Sequence, residues 1–176
     1  RGHLNPLICE HLSPFLTVVA RALADLADLG VPIDLLMQPE QLPDLARLLE
    51  VQPPRMPLII NHLARLTLGT VPAKEALEAL LALAKHKPVR VKVSALATLS
   101  RQPPPYENLY EAVRQTVRVF GPDRIIWVTD FPFVAGVVGY LAALEAARRI
   151  FSPFNFTEQQ LILGDNALSL WWPEGD

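Results

Sequence analysis

The 176-residue chain is 51% apolar and 19% charged with a formal net charge of −2, the make-up of an ordinary globular domain and not of a disordered segment. Such a balance offers no basic field to phosphates, so nucleic acid is excluded as an expected partner. No stretch reaches the roughly 18 uncharged apolar residues of a membrane span, and one cysteine, Cys9, leaves no internal disulfide, so a cytoplasmic, reducing setting is expected.

The opening RGHLNPLICEH has neither an initiating Met nor the continuous apolar core of a signal peptide, and the expectation is a single domain over residues 1–176 whose N-terminal part is missing. RGHLNPLI reads as a first strand, followed by the helical SPFLTVVARALADLADLG with Gly30 as its C-terminal cap. VPIDLLM is a second strand, and PEQLPDLARLLE follows it with Leu42, Leu45, Leu48 and Leu49 at helical spacing. MPLIINHL and the helical PAKEALEALLALAKH come next, with Pro72 suited to a first helical turn. Then come VRVKVSAL, the helix YENLYEAVRQTVRVF with its stop signal GPD, RIIWVTDF and the helix VVGYLAALEAARRIF. The last segment, TEQQLILGDNALSLWW, offers Thr157 as N-cap with Gln160 in the capping-box position.

Five strand-then-helix units in which strands such as PLII and RIIWV are apolar on consecutive positions predict a parallel sheet covered on both faces. Such units fit either a doubly wound sheet or part of a (β/α)8 TIM-type barrel, and the absence of any Gly-x-Gly-x-x-Gly after a strand counts against a nucleotide fold. Reactive side chains in such folds gather where strands end. The ends carry His3 and Asn5, then Gln38, then Asn61 and His62, then Lys92 and Ser94, then Thr129 and Asp130. Asp130 is the sharpest of these, because a carboxylate straight after IIWVT must be hydrogen-bonded, paired or metal-bound if the barrel mouth buries it.

PLIINHLARL, VRVKVSAL, FGPDRIIWVTDFP and LILGDNALSLW, in this order, resemble segments of the amidohydrolase-related metal-dependent hydrolases, in particular their sugar-lactone hydrolase branch. There the segments read V-hydrophobic-D-H-hydrophobic-G, V-K-hydrophobic-S-G, F-G-hydrophobic-D-R-hydrophobic-hydrophobic-W-G-S-D-W-P and I-hydrophobic-G-x-N-A. IDLLMQPEQLPDLARLL also resembles that branch's fifth-strand region, so the likeness runs from about Val31 to Trp171. It implies a barrel seen here from its fourth to its eighth strand, with Asp130 as metal ligand or proton acceptor and His62 as metal ligand or polariser. It departs from the pattern in lacking any His-x-His pair, in Asn61 for Asp, in Thr129 for Ser and in Ala95 for Gly.

The function so implied is hydrolysis of a lactone or amide bond in a small molecule by metal-activated water, with Asp130 and His62 catalytic and Lys92, Asn61 and Gln38 around the substrate. Zinc is the expected divalent metal of the full-length family. With two ligands, His62 and Asp130, against the three a catalytic zinc takes, this chain alone is not expected to hold it tightly. Two alternatives stand beside this reading. A truncated or non-catalytic barrel portion would serve a structural role, its open strand edges favouring a homo-oligomer; a metal-dependent decarboxylase of the same family is the other. Trp127 is expected in the core, and Trp171 and Trp172 on the outside of the barrel.

Overall fold

Consecutive β-branched and leucine residues bounded by proline, glycine and asparagine make short strands, and four of them form one parallel sheet. The computed structural model describes residues 14–26, 29, 31–51 and 55–172. Strands β1 (Ile33–Leu35), β2 (Leu58–Ile60), β3 (Val89–Val93) and β4 (Ile125–Trp127) lie side by side in chain order. Helices precede and connect them: α1 (Pro14–Asp25) before β1, α2 (Leu42–Val51), α3 (Ala73–Ala82), then α4 (Leu96–Leu99) and α5 (Tyr110–Phe120) between β3 and β4. After β4 come α6 (Phe133–Val137), α7 (Tyr140–Phe151), α8 (Phe156–Gln160), a π-helical turn over Leu161–Asp165, and α9 (Asn166–Trp171). The strand expected over residues 1–8, with His3 and Asn5, lies outside the described residues, as do Cys9 and Gly30.

Side chains alternate across a strand, so the two faces of the sheet carry different sets. Leu35, Leu58, Ile60, Val89, Val91, Val93, Ile125 and Trp127 point to one face and join the main apolar core with the inner stripes of α1, α2, α3, α5 and α7. Each such aliphatic side chain contributes about 1.5–3 kcal/mol when fully buried, which fixes the register, because a one-residue slip would reverse every face. The opposite face carries Asp34, Ile59, Arg90, Lys92 and Ile126, and corresponds to the interior of a barrel. Ile59 and Ile126 are fully buried there, outside the main cluster. Lys92 reaches across β2 to both carboxylate oxygens of Asp34, at 2.9 and 3.0 Å, and its ammonium lies 5.0 Å from the centre of the Trp171 ring. Trp171 therefore meets the interior face of the sheet and is not packed on the barrel's outside, while Trp172 is exposed.

The joint before β4 is the best fastened. Gly121 ends α5 with φ +92°, a backbone state other residues rarely adopt. Arg124 is buried and spends its guanidinium on the carbonyls of Phe120, Ala84 and His86 at 2.7–3.2 Å. Asn166 donates from its amide to the carbonyls of Pro122 and Ile125, both at 2.7 Å, tying the start of α9 to the same joint. The last helical segment is capped two residues earlier than the sequence suggests. The Asn155 side-chain oxygen accepts from the Glu158 amide and the Glu158 carboxylate accepts from the Asn155 amide, whereas Thr157 lies inside α8. Asparagine outcompetes threonine as a cap because its short amide oxygen reaches the third amide readily.

Left-handed backbone marks the ends of the strands. His62, Leu63, Ala64 and Arg65 have φ between 50° and 55° in succession, Ala95 has φ 52° and Asp130 φ 67°. Each such L-residue costs roughly 1–2 kcal/mol, and the state persists because Leu63 and Ala64 are locked in the core. Ala95 stands where the related pattern has glycine, and the reason is now visible: the position requires positive φ. Ala64 occupies another such glycine position, but its fully buried methyl repays about 0.8 kcal/mol. Ala95→Gly is thus expected to raise stability by about 0.5–1 kcal/mol, the left-handed cost outweighing the extra entropy of an unfolded glycine; thermal melts of the two proteins check it.

Candidate active site at the carboxyl ends of the strands

The left-handed turn at Asn61–Arg65 swings His62 and Arg65 toward the left-handed corner at Asp130, and all three side chains line one cleft of about 240 Å³. Ala95, Leu99 and Phe133 supply its apolar wall, Phe133 with half its surface exposed at the rim. Thr67 ties the turn to the next strand's loop by donating to the Leu99 carbonyl at 2.7 Å.

His62 is the better held of the two residues singled out from the sequence. Its Nδ1 lies 2.7 Å from Oγ of the fully buried Ser94. The bond permits two arrangements with different chemistry. If Nδ1 donates to Ser94, Nε2 presents a lone pair to a metal or a proton; if Ser94 donates, Nε2 carries a hydrogen and can polarise a carbonyl. Burial holds the imidazole below its ordinary value of 6.5; the Asp130 carboxylate opposes that shift, Arg65 and Lys92 add to it, and Asp34 weakly opposes it. The ring is therefore neutral at neutral pH, the state either role needs.

Arg65 was not among the residues singled out from the sequence. Its signal was faint, an arginine three residues after the strand-end histidine, in the segment PLIINHLARL. Only the left-handed turn brings it to the cleft, where it has no ion-pair partner among the described residues.

The other expected substrate contacts are placed differently. Lys92 sits within β3, not at its end, and its charge is matched by Asp34; it is not part of the cleft wall. Asn61 follows β2 directly, and its Oδ1 is buried with no hydrogen-bond partner among the described residues. Gln38 lies three residues beyond β1, where its backbone amide donates to Gln41 Oε1 at 2.7 Å. Neither lines the cleft holding His62 and Asp130.

Beside Gln38 a second clamp shapes the rim. Glu40 accepts hydrogen bonds from the Thr70 amide, the Thr70 hydroxyl (2.7 Å) and the Val71 amide (3.2 Å), joining the loop after β1 to the loop after β2. A Cβ on Gly69 would lie 2.6 Å from Glu40 Oε1 and 2.8 Å from Pro39, so only glycine fits this approach. The Thr70 hydroxyl foremost, with the backbone amides, holds the Glu40 carboxyl at about 2 instead of its usual 4.5.

His62 and Asp130 make two donors, where a catalytic zinc takes three protein ligands. Among the described residues no group of three or more His, Cys, Asp or Glu side chains is placed to hold a metal ion. The described residues do not by themselves fit a zinc site.

The amidohydrolase family model matches residues 5–171, nearly the whole chain. The chain belongs to the amidohydrolase family. No curated protein matches it. Among solved structures it is similar to an amidohydrolase from Burkholderia multivorans with bound zinc, at 21% identity and a TM-score of 0.74, over 86% of this chain and 56% of that one. It is also similar to a putative 2-pyrone-4,6-dicarboxylic acid hydrolase from Pseudomonas putida (23%, TM-score 0.71, 99% and 61% of the two chains). A probable hydrolase of the same name from Acinetobacter baumannii with citric acid bound resembles it at 22% identity, TM-score 0.65, over 90% and 57%. The chain spans about 56–61% of the length of these structures. At such identities the likeness establishes the fold, an arc of a (β/α)8 barrel, while the family match establishes kinship with metal-dependent hydrolases. No helix among the described residues is long and apolar enough to cross a membrane.

Two measurements test this geometry. NMR titration of His62 is expected to give a midpoint below 6.5, and Asp130→Asn should move it lower still, since it removes the main charge that favours protonation. For Glu40, whose folded value lies below its unfolded one, the contribution to stability is present above about pH 4.5 and lost as pH falls toward 2. The melting temperature of Glu40→Gln should accordingly fall below that of the unaltered protein above pH 5, and the gap should close on acidification.

Proposed function

We propose that this chain is the catalytic-face portion of a hydrolase that attacks the carbonyl of a lactone or amide in a small molecule bearing a carboxylate. The observation that carries the reading is the meeting of a carboxylate, a neutral imidazole and a guanidinium with no ion-pair partner among the described residues, in one cleft at the carboxyl ends of parallel strands. Barrel enzymes place their chemistry at that end. The 2-pyrone-4,6-dicarboxylic acid hydrolase names borne by two structural neighbours agree with a cyclic ester carrying carboxylates.

In this reading Arg65 pairs with a substrate carboxylate and orients the ring, as a planar guanidinium does by two parallel hydrogen bonds. Asp130 takes the proton from an attacking water and returns it to the leaving oxygen or nitrogen. His62, fixed by Ser94, stabilises the charge that develops on the carbonyl oxygen. Lys92, held by Asp34, acts at one remove by keeping the barrel interior electrically balanced. Because the described residues supply two metal donors, no step is assigned to a metal here.

Hydrolysis of 2-pyrone-4,6-dicarboxylate by the purified chain, followed by loss of the pyrone absorbance, tests the reading. Asp130→Asn is expected to lower kcat by about 10²–10⁴, whereas Arg65→Ala should act mainly on KM, by roughly tenfold or more. Activity that survives Asp130→Asn unchanged would remove the basis of the proposal. Metal content by elemental analysis of the same samples shows whether the chain holds an ion at all.

A further inference from the structure

Tyr106 carries two features that the proposed chemistry leaves unused. It lies in the loop between α4 and α5 and is 2% exposed, yet its hydroxyl has no hydrogen-bond partner among the described residues. Its backbone is also left-handed, with φ 65° and ψ 44°. A buried hydroxyl without a partner is costly and a non-glycine residue in this conformation is strained, so both on one residue call for a compensating contact.

The surroundings supply one. Tyr106 lines a cavity of about 20 Å³ whose other polar walls are Thr129 and Asp130, with Ala95, Trp127 and Val134 closing the apolar side. A water needs on the order of 10–15 Å³ by this measure and two or more polar partners. The cavity therefore suits one water and is far too small for a substrate. Burial pushes the Tyr106 hydroxyl above its ordinary value, so it is protonated at neutral pH and free to donate.

We infer that Tyr106 and the Thr129–Asp130 corner together hold one ordered water, which links the loop before α5 to the backbone that carries the Asp130 carboxylate. The water satisfies the orphan hydroxyl and braces the left-handed corner at Asp130, next to the cleft with which the cavity shares Ala95, Asp130 and Phe133.

High-resolution crystal structures and thermal melts of the unaltered chain and of Tyr106→Phe test the inference, and neither readout depends on hydrolysis. Failure of the hydrolase reading would leave both untouched. A density peak is expected within about 2.6–3.0 Å of the Tyr106 hydroxyl, absent in Tyr106→Phe, together with a melting temperature lower by about 2–4 °C in the variant. An orphaned hydroxyl would behave in the opposite way, because phenylalanine would then relieve a buried polar group. A site without density in the unaltered chain, or a variant that melts at or above the unaltered temperature, overturns the inference.

Discussion

The apolar face of a parallel sheet, sealed against a layer of helices, constrains everything else in this molecule. Valines 89, 91 and 93 and their neighbours on β1, β2 and β4 have no polar alternative and must meet the helical layer. The residues between them are consequently turned to the other face. Of the charged groups placed there, Lys92 is paired with Asp34, across a row that also buries Ile59 and Ile126. The pair is half in reach of solvent, with Lys92 at 12% and Asp34 at 42% side-chain exposure, so its value lies more in matching charge inside the arc than in net stability.

With both faces committed, reactive chemistry is left to the strand ends, and there the backbone itself departs from the common regions. Four consecutive left-handed residues after β2 bring His62 and Arg65 to the same cleft as the left-handed Asp130 after β4. Such geometry survives because the surrounding packing over-determines it: Leu63 and Ala64 are anchored in the core, Ser94 holds the His62 ring, and Thr67 pins the turn to the next loop. The Glu40 clamp does the same for the rim between β1 and β2.

The run FGPDRIIWVTDFP shows how one motif divides its labour. Its first half is architecture, with Gly121 ending a helix and Arg124 spent on three carbonyls. Its second half delivers Asp130 to the cleft. A motif whose likeness to a family is strong can thus owe part of that strength to folding and only its last residues to chemistry.

The sequence by itself determined the order of strands and helices over the described residues, the parallel sheet, the family, and the two strand ends that carry His62 and Asp130. It could do so because periodicity, proline and glycine act locally, and because apolar runs that end in a charged residue are read without knowing the neighbours. Only the tertiary structure decided that Arg65 joins the cleft, that Lys92 is matched by Asp34, that Trp171 meets the interior face, and that Ala95 sits where glycine would be at ease. Each of these depends on a left-handed turn or on contact between residues about 60 to 80 positions apart, and neither leaves a trace in local spacing.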